Sequence, residues 1–568
     1  MSDRNADIPN SKEPPFSEIR IPVPWGHIAG KAWGKPSDRH VLAIHGMQDN
    51  CGVFDRLISM LDGHYYIVAI DLPGHGFSTH FPAGLPLSFL NFVLAIAYVV
   101  KELSWDKFLY LSHSLGGQIG AFFTALFPHY IEKLVIIDHI LPKNYSPGQL
   151  TAAISDYIRS FMSLEKRLKN GTPPTYSYDQ VLEKLTNRDS VLTTEAAKIV
   201  LERSLIKMPG GYSFCMDQRM KLPFFPTLTV ELAKEVYVNI KCPTLILLSS
   251  ARINTYREIF EKIFEIIDKK ANITVKVVPG QSLGNEPSVK KVIMLHGIGH
   301  NCGSFKGLIR KFKQNYNIVA IDLPGHGQSS HFPRGVPLQF YDYVLSIKKV
   351  VDHLMWDKFY IIAHSFGGQL GTYFSAIFPH QVEALLIIDT MEPRPVLLED
   401  TLAYMQSTFT DLLNLEKKLK EGVRPTYTFE DAFRKVQKNT LWPLSVEATK
   451  DLMERSIEQL GNGFAFVTDQ RVKFPIRPML TFEQQVKILE NVTCPVLFVI
   501  ADQNMARYST YLKPAFDFNR SRKNCYIVIV AGDHSVHQNH PERISEILEK
   551  FLETKQMPLN YADMTGNQ

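Results

Sequence analysis

Two tandem α/β domains are expected from this chain. Each should be a mostly parallel sheet flanked by helices, with a helical cap inserted after the sixth strand. Two observations predict this: the sequence repeats itself at a domain-length period, and each copy alternates short apolar β-rich runs with helix-length segments. "YIVAIDLPGHGFSTHFP" at Tyr66 recurs as "NIVAIDLPGHGQSSHFP" at Asn317, and "LSHSLGGQIGAFFTALFPH" at Leu111 recurs as "IAHSFGGQLGTYFSAIFPH" at Ile361. The offset is 251 from His45/His296 through Asp138/Asp389, and 252 from Glu202/Glu454 through Cys242/Cys494. One single-residue indel therefore separates the copies, and a period this long describes whole domains rather than solenoid units.

The elements follow in order. The first copy presents "HVLAIHG", "YYIVAIDLPG", "KFLYLSHS" and "KLVIID" with helical segments between them, then "CPTLILLSS" and "ITVKVVPG" after a long break. Continuous apolar strands separated by helices indicate a parallel sheet covered on both faces. The breaks, roughly residues 140–240 and 391–491, carry helical spacing, as in "TTEAAKIVLERSL", and read as the caps. The expected organisation is a tail over 1–15, a first domain over 16–282, a second over 288–556 and a tail over 557–568. The second copy has no counterpart of the opening "FSEIRIPVPWGHIAGKAWG", and so lacks the first two strands.

Composition excludes several function classes. The chain has 568 residues, 45% hydrophobic and 21% charged, with a net charge of +5 and no basic run or stripe, which argues against nucleic-acid binding. Its six cysteines form no C-x-x-C pair, so neither a disulfide framework nor a thiolate metal site is expected, and a reducing compartment is. The N-terminus is polar and Pro-rich, unlike a signal or transit segment. "FLNFVLAIAYVV" is too short to span a bilayer and is read as a buried helix, leaving no transmembrane segment. A cytoplasmic location follows as the expectation; a peroxisomal one is compatible with it, but no clear targeting signal is present.

The chemistry is carried by "SHSLGG" (Ser112 to Gly117) and "AHSFGG" (Ala363 to Gly368), each ending a strand and opening a helix. A serine there sits on a tight turn between small residues, at a helix N-terminus whose backbone N–H groups face developing negative charge. Ser114 and Ser365 are the candidate nucleophiles. The loops "AIHGMQDN" and "MLHGIGHN" supply a second donor, so the expected oxyanion amides are Met47 with Leu115 and Ile298 with Phe366. The alternative for an isolated small-x-Ser-x-Gly is a serine that merely starts a packed helix; strand, turn, helix and His-Gly loop occurring together, twice, argue against it.

These motifs resemble the α/β-hydrolase superfamily. More narrowly, the chain is similar to the serine hydrolase-like proteins related to the insect Kraken protein. The residues responsible are "VPWGHIAGKAWG", the "HG" loops followed by Asn50 or Asn301, "DLPGHG" at Asp71 and Asp322, the two turns, and the cap segments "MDQRMKLP" and "TDQRVKFP". The resemblance implies a Ser-acid-His order, no cofactor and no metal, and a small-molecule acyl ester as substrate.

A base is expected only in the second copy, where "CYIVIVAGDH" places His534 after the last strand, followed by a helical "PERISEILEKFL". His534, His537 and His540 share a metal-like spacing, but Pro541 and the missing carboxylate pattern argue against a site, and His537 and His540 are read as solvated loop residues. In the first copy the same register puts Ser282 where the imidazole should be, so that domain is expected to be impaired. For the acid, Asp389 ends the sixth strand and Asp502 follows the seventh; Asp389 is favoured because Asp138 matches it in the degenerate copy. Asp71 and Asp322 are assigned structural roles. The leading expectation is a serine ester hydrolase acting from the second domain, with domain 1 packed against domain 2 through its uncovered face. The alternatives are an inert tandem ligand- or partner-binding protein, or a fusion of two neighbouring copies. Oligomeric state and substrate identity do not follow from the sequence.

Overall fold

A computed structural model describes residues 15–61, 64–138, 147–171, 173–186, 192–222, 235–247, 290–312, 316–393, 398–422, 424–438 and 442–556. The chain divides into two compact units, Met1–Asn144 with Ser160–Pro279 and Tyr145–Arg159 with Gly280–Gln568. The segment 145–159, read from sequence as part of the first cap, thus groups with the second unit. "ITVKVVPG", Ser282 and the linking residues lie outside the described residues.

In the first unit, β1 (Phe16–Val23) and β2 (Gly26–Trp33) form a hairpin, followed by β3 (Arg39–Ile44), β4 (Tyr65–Ile70), β5 (Phe108–His113) and β6 (Ile131–Ile137). A cap hairpin of β7 (Leu205–Met208) and β8 (Gly211–Phe214) precedes β9 (Thr244–Leu247), and the main sheet runs β1-β2-β4-β3-β5-β6-β9. From β4 through β9 the pairings are parallel, while β1 and β2 pair antiparallel at the edge. The apolar run Phe89–Leu103 is a buried helix, as its composition requires.

The second unit repeats the plan with β10 (Lys291–Leu295), β11 (Asn317–Ile321), β12 (Phe359–His364), β13 (Val382–Ile388), the cap hairpin β14 (Ile457–Leu460) and β15 (Gly463–Phe466), then β16 (Val496–Ala501) and β17 (Cys525–Val530). Its sheet, β11-β10-β12-β13-β16-β17, is parallel throughout. Val292, Met294, Ile362, Leu386, Ile388, Leu497 and Val499 form one buried face, packed against Leu548, Phe551 and Leu552 of the C-terminal helix Ser545–Thr554. The opposite face is equally buried at Ile293, Leu295, Ile361 and Ile387, which is why these strands read as unbroken apolar runs. No helix among the described residues is long and apolar enough to cross a membrane.

Matched arginine–aspartate pairs recur in both units. Arg203 Nη2 lies 2.8 Å from Asp71 Oδ2, and Arg455 Nη2 lies 2.7 Å from Asp322 Oδ2. Burial opposes ionisation of both aspartates, yet the arginines and the backbone amides they accept from hold their carboxyls below the ordinary range. The "DQR" segments act likewise: Asp469 N donates to Gly325 O at 2.8 Å, while Arg471 donates to Asp469, Pro333 O and Val336 O, tying the cap to the "DLPGHG" loop. Removing one member of such a buried pair leaves an uncompensated charge, at about 3–5 kcal/mol.

At Asp342 burial prevails over the Gln339 backbone hydrogen bond and the charge of Lys349, which oppose it. The residue is buried on the helix Phe340–His353, where the first copy carries the neutral, equally buried Asn91. Burial pushes its carboxyl up to about 8, so at neutral pH it is protonated and presents the same kind of polar group. Because its folded value lies above the unfolded one, stability declines as pH rises from about 4 towards 8. Asp342→Asn should therefore raise Tm at about pH 8.5, by roughly 2–4 °C per kcal/mol relieved, and leave it near the parent value at about pH 4; thermal unfolding at the two pH values checks this.

Candidate active site

The site in the second unit begins with a strained turn. β12 ends at His364, and Ser365 takes φ 51°, ψ −117° before the helix Phe366–Ile377. A non-glycine residue in this region costs on the order of 1–3 kcal/mol, sustained by the surrounding packing. The neighbours leave no alternative: a Cβ on Gly367 would stand 2.1 Å from Leu295 O, and one on Gly297 would stand 3.2 Å from Ser365 Cβ. Ser114 in the first unit repeats the turn at φ 50°, ψ −115°, and a Cβ on Gly116 would meet Ile44 O at 2.2 Å.

Three side chains converge at this turn. His534 Nε2 lies 3.0 Å from Ser365 Oγ, and His534 Nδ1 lies 2.6 Å from Asp389 Oδ2. Asp389 ends β13 in a left-handed conformation (φ 52°), its amide donating to Val499 O at 2.8 Å, so the carboxylate is aimed by the β13–β16 pairing. Its side chain is fully buried, with Oδ1 accepting from Ala501 N at 2.9 Å and Oδ2 from His534 and from the Asn504 side-chain amide. Asp502, the alternative acid, stands elsewhere: it is exposed, and its Oδ1 accepts from Gly532 N at 2.9 Å. The structure thus groups Asp389, not Asp502, with the imidazole. Asp138 in the first unit holds the matching backbone pose, with φ 57° and its amide 2.7 Å from Leu247 O.

The reading of His537 as a solvated loop residue is corrected. It is fully buried in the one-turn helix Val536–Asn539, its ring centroid 4.0 Å from that of His364 and 5.5 Å from that of Phe305. Phe305 packs against this ring and Val536 of the same helix joins the apolar core, which the polar string "HQNHP" does not announce. His364 Nε2 donates to His534 O at 2.8 Å, fixing the loop that carries the imidazole. Burial lowers the basicity of His364 and His537, and takes His300 to about 4. No group of three or more His, Cys, Asp or Glu among the described residues is arranged to hold a metal ion.

The expected oxyanion amides sit in a loop held by two neutral histidines. His296 Nδ1 donates to Gly297 O at 2.8 Å while Nε2 accepts from Leu323 N at 2.9 Å. His326, from "DLPGHG", accepts from Gly299 N at 3.0 Å through Nε2 and donates to Pro324 O at 3.1 Å through Nδ1. Burial lowers both imidazoles, His326 to about 4, and only a neutral ring can accept these amide hydrogens. The turn leaves Ile298 between these anchors, and Phe366 opens its helix, where an N–H has no intrahelical acceptor. In the first unit His45 and His75 hold the Met47 loop in the same way, and Leu115 opens the matching helix. Sequence reasoning missed these histidines; the signal was their placement beside glycines in both copies.

The cap reaches this site at two points. Asn301 donates to Leu452 O and Ser456 Oγ, each at 3.0 Å, and Asn539 accepts from Ser445 N at 2.8 Å while donating to Pro443 O at 3.2 Å. The latter clamp leaves the Trp442 indole 5.7 Å from the His534 ring.

Comparison with known proteins agrees with this architecture. The family model described as alpha/beta hydrolase fold matches residues 39–168 and 290–556. A serine hydrolase-like protein of Danio rerio is 31% identical over 284 residues, covering 49% of this chain and 86% of that protein. A human serine hydrolase-like protein is 46% identical over 199 residues, covering 34% of this chain and 92% of that one. A probable serine hydrolase of Drosophila melanogaster is 32% identical over 237 residues, covering 41% and 71%. With its strained serine turns, His-Gly loops and parallel sheets, and with the model matched in two segments, the chain belongs to the α/β-hydrolase fold family.

Proposed function

We propose that this protein is a serine hydrolase that cleaves a carboxylic ester of a small or medium acyl group, and that the second copy carries the chemistry. The observation behind the reading is the unbroken line from Ser365 Oγ to His534 at 3.0 Å and from His534 to Asp389 at 2.6 Å. Ser365 attacks the ester carbonyl as His534 Nε2 takes its proton, and the same proton passes to the departing alcohol. Water then attacks the acyl-serine with His534 as base, releasing the acid and regenerating the hydroxyl. Asp389 fixes the imidazole with Nδ1 protonated and stabilises the imidazolium. The Ile298 and Phe366 amides receive the oxyanion, a contribution worth about a hundred- to thousand-fold per donor.

In the first copy, Ser114 keeps its strained turn, but the register places no imidazole after the last strand. A serine without a base is a poor nucleophile near neutral pH, so this copy contributes little turnover.

Hydrolysis of an activated ester should fall about a million-fold in Ser365→Ala, while Ser114→Ala stays within about twofold of the parent. Steady-state kinetics on the full chain checks both, and a parent-like rate for Ser365→Ala removes the proposal. Asp389→Asn should lose about ten-thousand-fold in kcat through the wrong imidazole tautomer, against less than about tenfold for Asp502→Asn. Equal losses for the two would reassign the acid.

A further inference from the structure

We propose that the outer edge of β11 in the second unit docks an antiparallel β-hairpin of a partner protein, one carrying a carboxylate where the first unit's own hairpin carries Lys31. The inference stands apart from the hydrolase reading above. It starts from one strand in its two copies. Residues 67–76 and 318–327 are identical, so β4 and β11 offer the same backbone and side chains to a neighbour. β4 lies inside its sheet, parallel to β3 on one side and antiparallel to β2 on the other, and Ile67, Val68, Ala69 and Ile70 are buried. Among the described residues β11 pairs with β10 alone, and Ile318, Val319, Ala320 and Ile321 are half-buried. Such an edge is a template for a further strand.

The first unit shows which bonds an incoming strand meets. Asp71 N donates to Ala29 O at 2.8 Å, and Ala29 N donates at 2.8 Å to Ser78 Oγ, which in turn donates to Asp71 O at 2.6 Å. Ser329 repeats the bond to Asp322 O at 2.6 Å, while Asp322 N has no acceptor among the described residues. Gly30 sets the register, because a Cβ there would stand 2.4 Å from Ala69 O, and Ala320 is the counterpart of Ala69. The charges select the partner. Lys31 Nζ of β2 lies 2.6 Å from Asp55 Oδ2, and Glu18 of β1 pairs with Arg203, whose side chain is 2% exposed. In the second unit Lys306 stands at the position of Asp55 and Arg455 at that of Arg203, now 31% exposed. Lys306 pairs with the exposed Glu454, a surface contact worth little. A lysine placed as in β2 would face Lys306 with like charge, whereas carboxylates at the places of Lys31 and Glu18 complement Lys306 and Arg455. Pairing β11 with that of a second molecule would bring two such basic edges together, which disfavours self-association.

The test uses the full chain and two synthetic hairpins of sequence Phe16–Trp33, one unaltered and one with Lys31→Glu. Fluorescence anisotropy of the labelled peptides reads Kd, and amide hydrogen exchange locates the bound strand. The Lys31→Glu peptide should bind at least about tenfold tighter than the unaltered one and protect the Ile318, Ala320 and Asp322 amides. Adding Gly30→Val to it should abolish binding, because the larger side chain has no room beside Ala320 O. Lys306→Asp in the full chain should reverse the preference between the two peptides. Equal affinities, protection elsewhere, binding that survives Gly30→Val, or no binding of either peptide up to about 1 mM overturn the inference. So does protection of residues 318–322 in the chain alone, appearing together with a dimer in light scattering, which assigns the edge to a second molecule. The peptide variants decide the matter if Lys306→Asp fails to fold.

Discussion

The buried Asp389 carboxylate is the charge around which the loops of the second sheet are arranged. A carboxylate without water is costly, and here it is compensated by a backbone amide of β16, the Asn504 side chain and His534. Those donors come from two separate segments, Ala501–Asn504 and the loop after β17, which a parallel sheet brings to the end of β13, so the register β13–β16–β17 decides whether they meet. The left-handed backbone at Asp389, like that at Ser365, is a strained state maintained because the neighbouring strands are rigid. The proposed proton path depends on this packing as much as on the identities of its three residues.

Both copies retain the scaffold. Each keeps the aspartate–arginine pair behind the His-Gly loop, the paired neutral histidines that hold that loop, the cap arginine fanned over carbonyl groups, and the strained serine. The visible difference beside the serine lies in the residues around the preceding histidine. In the first unit His113 Nδ1 faces Asp49 Oδ2 at 3.5 Å, whereas His364 in the second is enclosed by His300, His534 and His537. The scaffold is thus common to both copies, while the surroundings of the histidine before the serine differ.

Much of this was legible in the sequence, for physical reasons. Strands covered on both faces must be apolar at every position, so "KVIMLHG" and "VLFVIA" announce themselves without a period-two pattern. The Ser365 turn was legible because only small neighbours fit it. For the acid, the sequence favours Asp389 through its match to Asp138 and keeps Asp502 as the alternative, since both follow strands; the left-handed turn at Asp389 and the hydrogen bond of Asp502 to Gly532 are three-dimensional facts. Burial of His537 was missed because a polar string of four residues gives no sign of what closes over it. The donor role of Asn504 depends on a carboxylate 115 residues away in the chain.

The central claim is that reactivity belongs to the serine served by an imidazole. Treating the intact chain with a fluorophosphonate and locating the adduct by peptide mass spectrometry tests it most directly. The account predicts modification of the peptide containing Ser365 and none at Ser114. An adduct at Ser114, or an unmodified Ser365 in folded protein, would contradict it.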